Sequence, residues 1–166
     1  MARLPEAAKF AMLGLAAAVA AFAVSCAGGK PKPVEIVLSE DACAHCRMAV
    51  TERKFAAEAV SPDGVASYFD DIGCLARWYS DGRAKPGSAI YVVDFQTGEW
   101  LDAEAATYLV SSKIPTPMSF GIIAFGSQQA ASASEYAANA QITGWDGILA
   151  DAANPAASAP EVKQDE

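Results

Sequence analysis

Short runs of apolar residues, separated by turn signals, occupy the middle of the chain. Positions 55–69 carry strand-like apolar residues on both sides of Ser61-Pro62-Asp63-Gly64, so this stretch predicts a β-hairpin. Asp70 or Asp71 can then cap a helix, because a short acidic side chain accepts hydrogen bonds from the free N–H groups of the first turn. Apolar residues at helical spacing extend this predicted helix to about Ser80.

The same order of elements returns further along the chain. Residues 89–95 predict a strand, a short turn follows, and residues 99–101 predict the returning strand. Asp102 caps a predicted second helix that ends near Val110. Hairpin, aspartate cap and helix therefore occur twice, which predicts an internal duplication. The two predicted copies span residues 57–79 and 91–110.

The last third of the domain continues with extended and helical elements. The prolines of Ile114-Pro115-Thr116-Pro117 exclude a helix there, since each proline pushes its predecessor to extended geometry. Residues 120–125 predict a buried strand, and Ser127 caps a predicted helix over residues 128–138. A last apolar cluster covers residues 145–149. We therefore expect an α+β domain in which antiparallel hairpins pack against helices.

The two ends of the chain differ from this pattern. An unbroken apolar run of 15 residues, 10–24, is shorter than the roughly 20 residues of a transmembrane helix and is typical of a signal peptide. Small residues then precede Cys26, as in a bacterial lipobox, so we expect Cys26 to carry a lipid on the periplasmic side of a bacterial membrane. An ordinary cleaved signal peptide is the alternative. The predicted organisation is a lipoprotein signal peptide at 1–25, a lipidated tether at 26–33, the domain at 34–150 and a disordered acidic tail at 151–166.

Charge and cysteine content narrow the class of function. A formal net charge of −8 argues against binding to nucleic acid, because the phosphates would be repelled. Three of the four cysteines remain if Cys26 carries a lipid. An odd number in an exported protein indicates either a disulfide with one free thiol or a metal site. The chain has no nucleotide-binding loop or nucleophile elbow and a single histidine, so we do not expect an enzyme.

Soft ligand atoms are concentrated in Cys43-Ala44-His45-Cys46-Arg47-Met48. Thiols and thioethers suit Cu(I) better than they suit hard cations, so this segment favours a copper site. On an extended segment Cys46 and Met48 would leave the same face, which makes them the first candidate ligands. Met118, directly after the prolines, would be a third soft ligand if the fold brings it to Cys46. A single methionine in such a place is also compatible with core packing.

Other interpretations of these residues stay open on this reasoning. Cys43 and Cys46 can form a short-loop disulfide in a structural lipoprotein, or serve as the redox pair of a periplasmic thiol-disulfide oxidoreductase. Covalent c-type haem is excluded because Arg47, not histidine, follows the second cysteine. Cys74 lies on a predicted helix among apolar neighbours, so we expect it to be a small buried hydrophobe. The two aspartates before that helix are expected to cap it rather than to bind a hard metal ion.

Together these motifs resemble those of the NosL family, the lipoprotein copper chaperones encoded with nitrous oxide reductase. The matching segments are the lipobox at Cys26, CAHCRM, YFDDIGCLARWY, YVVDFQTGEWLDAEAATYLV and TPMSFGIIAF, in the order of the family. The resemblance implies two ββαβ-type modules and a membrane-anchored periplasmic protein that binds Cu(I). It further implies delivery of that Cu(I) to apo nitrous oxide reductase or its membrane assembly complex. A copper exporter or a periplasmic copper carrier is the implied source.

The resemblance also implies a set of copper ligands. Many relatives carry histidine-glycine-glycine after the last helix, whereas the corresponding residues 140–144 of this chain contain no histidine. The copper site is then expected to depend on thiols and thioethers, or to use His45. The residues that match the ligand positions of the family are Cys43, Cys46, Met48 and Met118.

Overall fold

The computed structural model describes residues 29–153 of the 166-residue chain. The predicted signal peptide, the predicted lipidation site at Cys26 and residues 154–166 of the predicted tail lie outside this range. Within the described range, no helix is both long enough and apolar enough to cross a bilayer.

The first half of the domain is a ββαβ module. Strands β1 (Ala57–Val60) and β2 (Ala66–Phe69) form the predicted hairpin, helix α1 (Ile72–Ser80) follows, and β3 (Ala89–Val93) returns beside β1. A fourth strand, β4 (Trp100–Asp102), pairs with β3, so the sheet order is β2-β1-β3-β4 with every neighbour antiparallel. The predicted hairpin and the predicted helix to Ser80 are thereby confirmed.

The second half repeats this arrangement. Strands β5 (Thr107–Val110) and β6 (Ile122–Phe125) pair, the short helix α2 (Gln128–Ser132) follows, and β7 (Gln141–Thr143) returns on the other side of β5. The order β6-β5-β7 matches β2-β1-β3, because in both sheets the first strand is central and both of its neighbours are antiparallel. A final helix, α3 (Trp145–Ala153), packs against α1. The two expected ββαβ modules of an α+β fold are present.

The predicted position of the second copy was wrong. The segment expected to form a helix from Asp102 to Val110 is a turn followed by strand β5. Tyr108 and Leu109, adjacent in sequence, are both fully buried, as in a central strand that is covered on two faces. Asp102 does accept a hydrogen bond from the Glu104 N–H at 3.2 Å, but it caps only that turn. The predicted helix over 128–138 is also shorter, since α2 ends at Ser132.

The main core lies between the first sheet, β5, β6 and the helices α1 and α3. It is built from apolar side chains of all these elements and includes Phe69, Ile72, Leu75, Val92, Tyr108, Ala124, Trp145 and Ile148. The two sheets are joined where the Phe95 N–H donates to the Ala124 carbonyl at 2.9 Å. This core fixes the start of α1 relative to the loop that carries the first two cysteines of the fold.

The N-terminal segment, residues 30–38, packs across the face of the first sheet that points away from α1. The Tyr91 hydroxyl donates to the Pro31 carbonyl, and Ile36 is buried with Val50 and Val93. The Val34 N–H donates to Glu58 of β1 at 3.0 Å. From residue 30 onward, the segment predicted to be a tether therefore contacts the sheet.

Candidate metal centre

A tight loop presents the first two cysteines. The Cys43 N–H donates to the Met48 carbonyl at 2.8 Å, and the Arg47 N–H donates to the Cys43 carbonyl at 3.0 Å. Arg47 adopts a left-handed conformation with φ 70°, which turns the chain sharply. The Ala44 N–H donates to the Tyr68 carbonyl at 2.8 Å and so ties the loop to β2. These bonds place Cys43 in the core and leave Cys46 near the surface.

Four side chains meet at this point, and we call them the thiol cluster. One ligand atom from each lies within 4.8 Å of the others. Two thiols are fully buried, the carboxyl group is 2% exposed, and only the Cys46 thiol is partly accessible. Cys46 Sγ donates to Asp70 Oδ1 at 3.4 Å. The members of the thiol cluster are Cys43, Cys46, Asp70 and Cys74.

The connection from β2 to α1 supplies the other half of the cluster. Asp71 is the N-cap of α1, since its side chain accepts from the Gly73 N–H at 2.9 Å. This leaves Asp70 free to face the thiols, and it places Cys74 in the first helical turn, directly behind them. Of the two capping candidates, Asp71 is thus the cap, and Asp70 belongs to the site.

The three thiols of the cluster differ in pKa. The hydrogen bond from the Cys74 thiol lowers the pKa of Cys43 to about 6, although burial opposes this shift. The same hydrogen bond, which Cys74 donates, holds the proton on Cys74 and together with burial raises its pKa. Burial raises the pKa of Cys46 to about 11, and the neighbouring Cys43 adds to the shift. Of the three thiols, Cys43 therefore gives up its proton most readily, and a thiolate is the form that binds metal ions.

The separations in the cluster suit a soft metal ion. Sulfur atoms that bind one ion at about 2.3 Å lie at most about 4.6 Å apart, so small side-chain rotations would close the site around an ion. Three thiols fit Cu(I), and three thiols with a carboxylate also fit the tetrahedral geometry of Zn(II). The described cysteines form no disulfide, so all three thiols are available as ligands.

The structure places the two predicted methionines differently. Met48 is 57% exposed, directly after the turn at Arg47. The extended backbone that would put Cys46 and Met48 on one face is absent, so that particular argument for the pair was wrong. Met118 is half-buried against the same core as Cys46, and its N–H donates to Asp71 at 3.0 Å.

Sequence reasoning missed two members of the thiol cluster. Cys74 is buried, as expected, but its sulfur faces the other two thiols instead of acting only as packing. Asp70 was treated as a possible cap. The signal that was available is the odd number of cysteines, because a third thiol has no partner for a disulfide. His45, between the two cysteines, is half-buried and its Nδ1 atom has no hydrogen-bond partner among the described residues.

Comparisons with known proteins agree with this fold. The crystal structure of the copper chaperone NosL from Shewanella denitrificans is similar, with a TM-score of 0.58 and 17% sequence identity over 70% of this chain and 94% of that chain. At this identity the likeness shows the shared fold. No curated protein sequence matches the chain. The NosL family model matches residues 33–153, which confirms the resemblance seen in the motifs, and the chain belongs to the NosL family.

Proposed function

We propose that this protein is a copper chaperone that binds Cu(I) at the thiol cluster and passes it to a copper-requiring protein. The observation that carries the proposal is the convergence of three free thiols within 4.8 Å, two of them buried and one near the surface. Family membership supports it, as does the name of the similar structure, a copper chaperone. The low exposure of the cluster protects a soft, oxidisable ion from water.

Transfer would proceed by exchange of ligands. Cys46 is the accessible member of the cluster, and the exposed thioether of Met48 is two residues away in the chain. An incoming Cu(I) ion would meet these two first and then reach the Cys43 thiolate. The bound Cys46 must lose its proton, and Asp70, which already accepts that proton in a hydrogen bond, is placed to receive it. Release to a client would reverse these steps.

The candidate ligands proposed for Cu(I) are thiols and thioethers, and the ion would hold only some of them at one time, exchanging them as it enters and leaves. Cys74 joins the set because its sulfur lies within 4.8 Å of the other ligand atoms of the cluster. Met118 joins it because it packs against the same core as Cys46 and is held at the start of α1. The remaining proposed ligands are Cys43, Cys46 and Met48.

The proposed client and compartment are those that the resemblance to the NosL family implies. We propose a lipid anchor at Cys26 on the periplasmic side of a bacterial membrane, with apo nitrous oxide reductase or its assembly complex as the client. A copper exporter or a periplasmic carrier would supply the ion. An anchor would raise the local concentration of the chaperone where copper emerges from the membrane. Incorporation of radiolabelled palmitate into the wild type but not into Cys26→Ala would support the anchor.

A transfer experiment tests the chaperone function. Cu(I)-loaded protein would be mixed with apo nitrous oxide reductase, and the copper content of the client would be measured after separation. We expect transfer from the wild type and much less from Cys46→Ser, because the accessible ligand of the exchange is lost. Equal transfer from free Cu(I) and from the loaded protein would contradict the proposal.

A thiol-disulfide oxidoreductase is the alternative, and the low pKa of Cys43 is the observation in its favour. Such an enzyme needs an exposed thiolate to attack a substrate disulfide. Here the low-pKa thiol of Cys43 is fully buried, whereas the accessible Cys46 has a raised pKa. The arrangement therefore favours metal binding. An insulin-reduction assay separates the two functions, and we expect no activity above that of the Cys46→Ser variant.

A further inference from the structure

The carboxyl group of Asp71 does more than cap a helix. Its Oδ1 atom accepts from the Gly73 N–H at 2.9 Å, which satisfies the start of α1. Its Oδ2 atom accepts two further bonds, from the Thr116 hydroxyl at 2.7 Å and from the Met118 N–H at 3.0 Å. Asp71 is fully buried, so each of these bonds is shielded from water. A helix cap needs only the first oxygen. The second oxygen, Oδ2, connects α1 to the loop that carries Met118.

That loop depends on local hydrogen bonds for its shape. The Thr116 hydroxyl accepts from the Gly121 N–H at 3.1 Å, and the Ser119 N–H donates to the Thr116 carbonyl at 2.9 Å. Ser119 and Gly121 both adopt left-handed backbone conformations, with φ 58° and 67°. A non-glycine residue in this conformation needs support from its surroundings. Asp71, through Thr116, connects this strained loop to the helix.

The connection ends at the thiol cluster. The residue before Asp71 is Asp70, which accepts from the Cys46 thiol, and the first turn of the same helix carries Cys74. Asp71 thus fixes the backbone of Met118 relative to the element that supplies two members of the cluster. A thioether is a weak ligand, and a weak ligand contributes most when it is held in place before the ion binds.

We propose that Asp71 is a positioning residue of the copper site, whose buried carboxylate holds Met118 at the thiol cluster so that its thioether joins the thiols around Cu(I). This inference rests on the proposed function. It concerns Asp71 itself, which is not a member of the thiol cluster.

The test is a double-mutant cycle on full-length protein purified in mild detergent. In Asp71→Asn, the amide oxygen still accepts from Gly73, but the amide nitrogen cannot accept from Thr116 and Met118. Cu(I) affinity would be measured by competition with a chromogenic chelator. We expect Asp71→Asn to weaken binding about 10-fold, in the range observed when residues that orient metal ligands are changed. In a Met118→Leu background, we expect the same substitution to have no further effect.

The chain offers a matched control in Asp94, a buried carboxyl group on another turn. Asp94 also accepts three hydrogen bonds, from the N–H groups of Gln96 and Thr97 at 2.8 and 2.9 Å and from Gly126 at 2.8 Å. We expect Asp94→Asn to lower thermal stability and leave Cu(I) affinity unchanged. X-ray absorption at the copper edge adds a direct readout, because Asp71→Asn should remove one sulfur from the ligands of the bound ion.

The outcomes separate the inference from the proposed function. Wild-type protein that does not hold Cu(I) overturns both. Equal weakening by Asp71→Asn in the wild-type and Met118→Leu backgrounds overturns only the inference, because Asp71 then acts on the fold and not through Met118. An unchanged affinity in Asp71→Asn or in Met118→Leu overturns it as well. If Asp71→Asn does not fold, Thr116→Val removes one of the same bonds and leaves the helix cap intact, and the same coupling to Met118→Leu is expected.

Discussion

Glu58 provides a sharp test of how burial controls stability in this fold. It lies in the central strand β1 and is fully buried, on the sheet face covered by residues 30–38. Oε1 accepts from the Val34 N–H at 3.0 Å, and Oε2 has no hydrogen-bond partner among the described residues. Burial raises the pKa of Glu58 to about 7, with Glu35 adding to the shift and the Val34 N–H and Arg53 opposing it. Tyr68 and Tyr91 lie opposite it on the neighbouring strands.

The sign of the pH dependence follows from this raised pKa. An unfolded glutamate loses its proton near pH 4.3, so between about pH 4.3 and 7 the folded protein holds a proton that the unfolded chain has released. The free energy of unfolding therefore falls as pH rises through this window and levels off above about pH 7. At about 1.4 kcal/mol per pH unit, the loss is at most about 4 kcal/mol. Glu58→Gln is always neutral, so it removes this loss.

Urea denaturation at pH 5 and pH 8, followed by tryptophan fluorescence, measures the effect. We expect Glu58→Gln to be more stable than the wild type by about 3 to 4 kcal/mol at pH 8 and by only about 1 kcal/mol at pH 5. Glu35→Gln is the matched control, because the Glu35 side chain is 83% exposed and its removal should leave most of the pH slope in place. A Glu58→Gln protein that keeps the slope of the wild type, or is no more stable at pH 8, would refute the reasoning.

Three further predictions concern the site and its support. Cys74→Ala should weaken Cu(I) binding at least about 10-fold in a chelator competition, because a sulfur of the cluster is lost; an unchanged affinity would place Cys74 outside the ligand set. Gly73→Ala should lower stability by about 1 to 3 kcal/mol in urea denaturation, since an added Cβ would lie 2.1 Å from the Phe120 ring. Tyr108→Phe should lower it by about 1 to 3 kcal/mol, because the hydroxyl donates to the buried Ala103 carbonyl at 2.7 Å, and no change would show that water replaces this bond.

The elements that depend on neighbouring residues were predictable from the sequence. The hairpin at 57–69 has its turn residues within the segment, and Asp71 caps a helix that begins at the next position. Strand β5 shows the limit of such reasoning. A short apolar run after an aspartate is compatible with either a helix or a strand. Here the run forms a strand because it pairs with β6 and β7, both of which lie further along the chain.

The residues of the candidate site likewise divide into those that local sequence predicts and those that only long-range contacts bring together. Cys43 and Cys46 were predictable from the sequence, because two thiols and a thioether lie within six residues. Cys74 belongs to the same cluster only because the β2–α1 connection folds back onto the cysteine loop, a long-range contact that no local pattern contains. The duplication was visible as a repeated order of elements. Its true second copy, 107–143, has little sequence likeness to the first and emerged from the matching strand orders.

The central claim is that the thiol cluster holds Cu(I). A titration of the reduced protein with Cu(I), in competition with a chromogenic chelator, tests it most directly when the wild type is compared with Cys46→Ser and Met48→Leu. We predict that the wild type binds one Cu(I) ion per chain and that both substitutions weaken binding, Cys46→Ser the more strongly. Wild-type protein that fails to compete with the chelator would contradict the account.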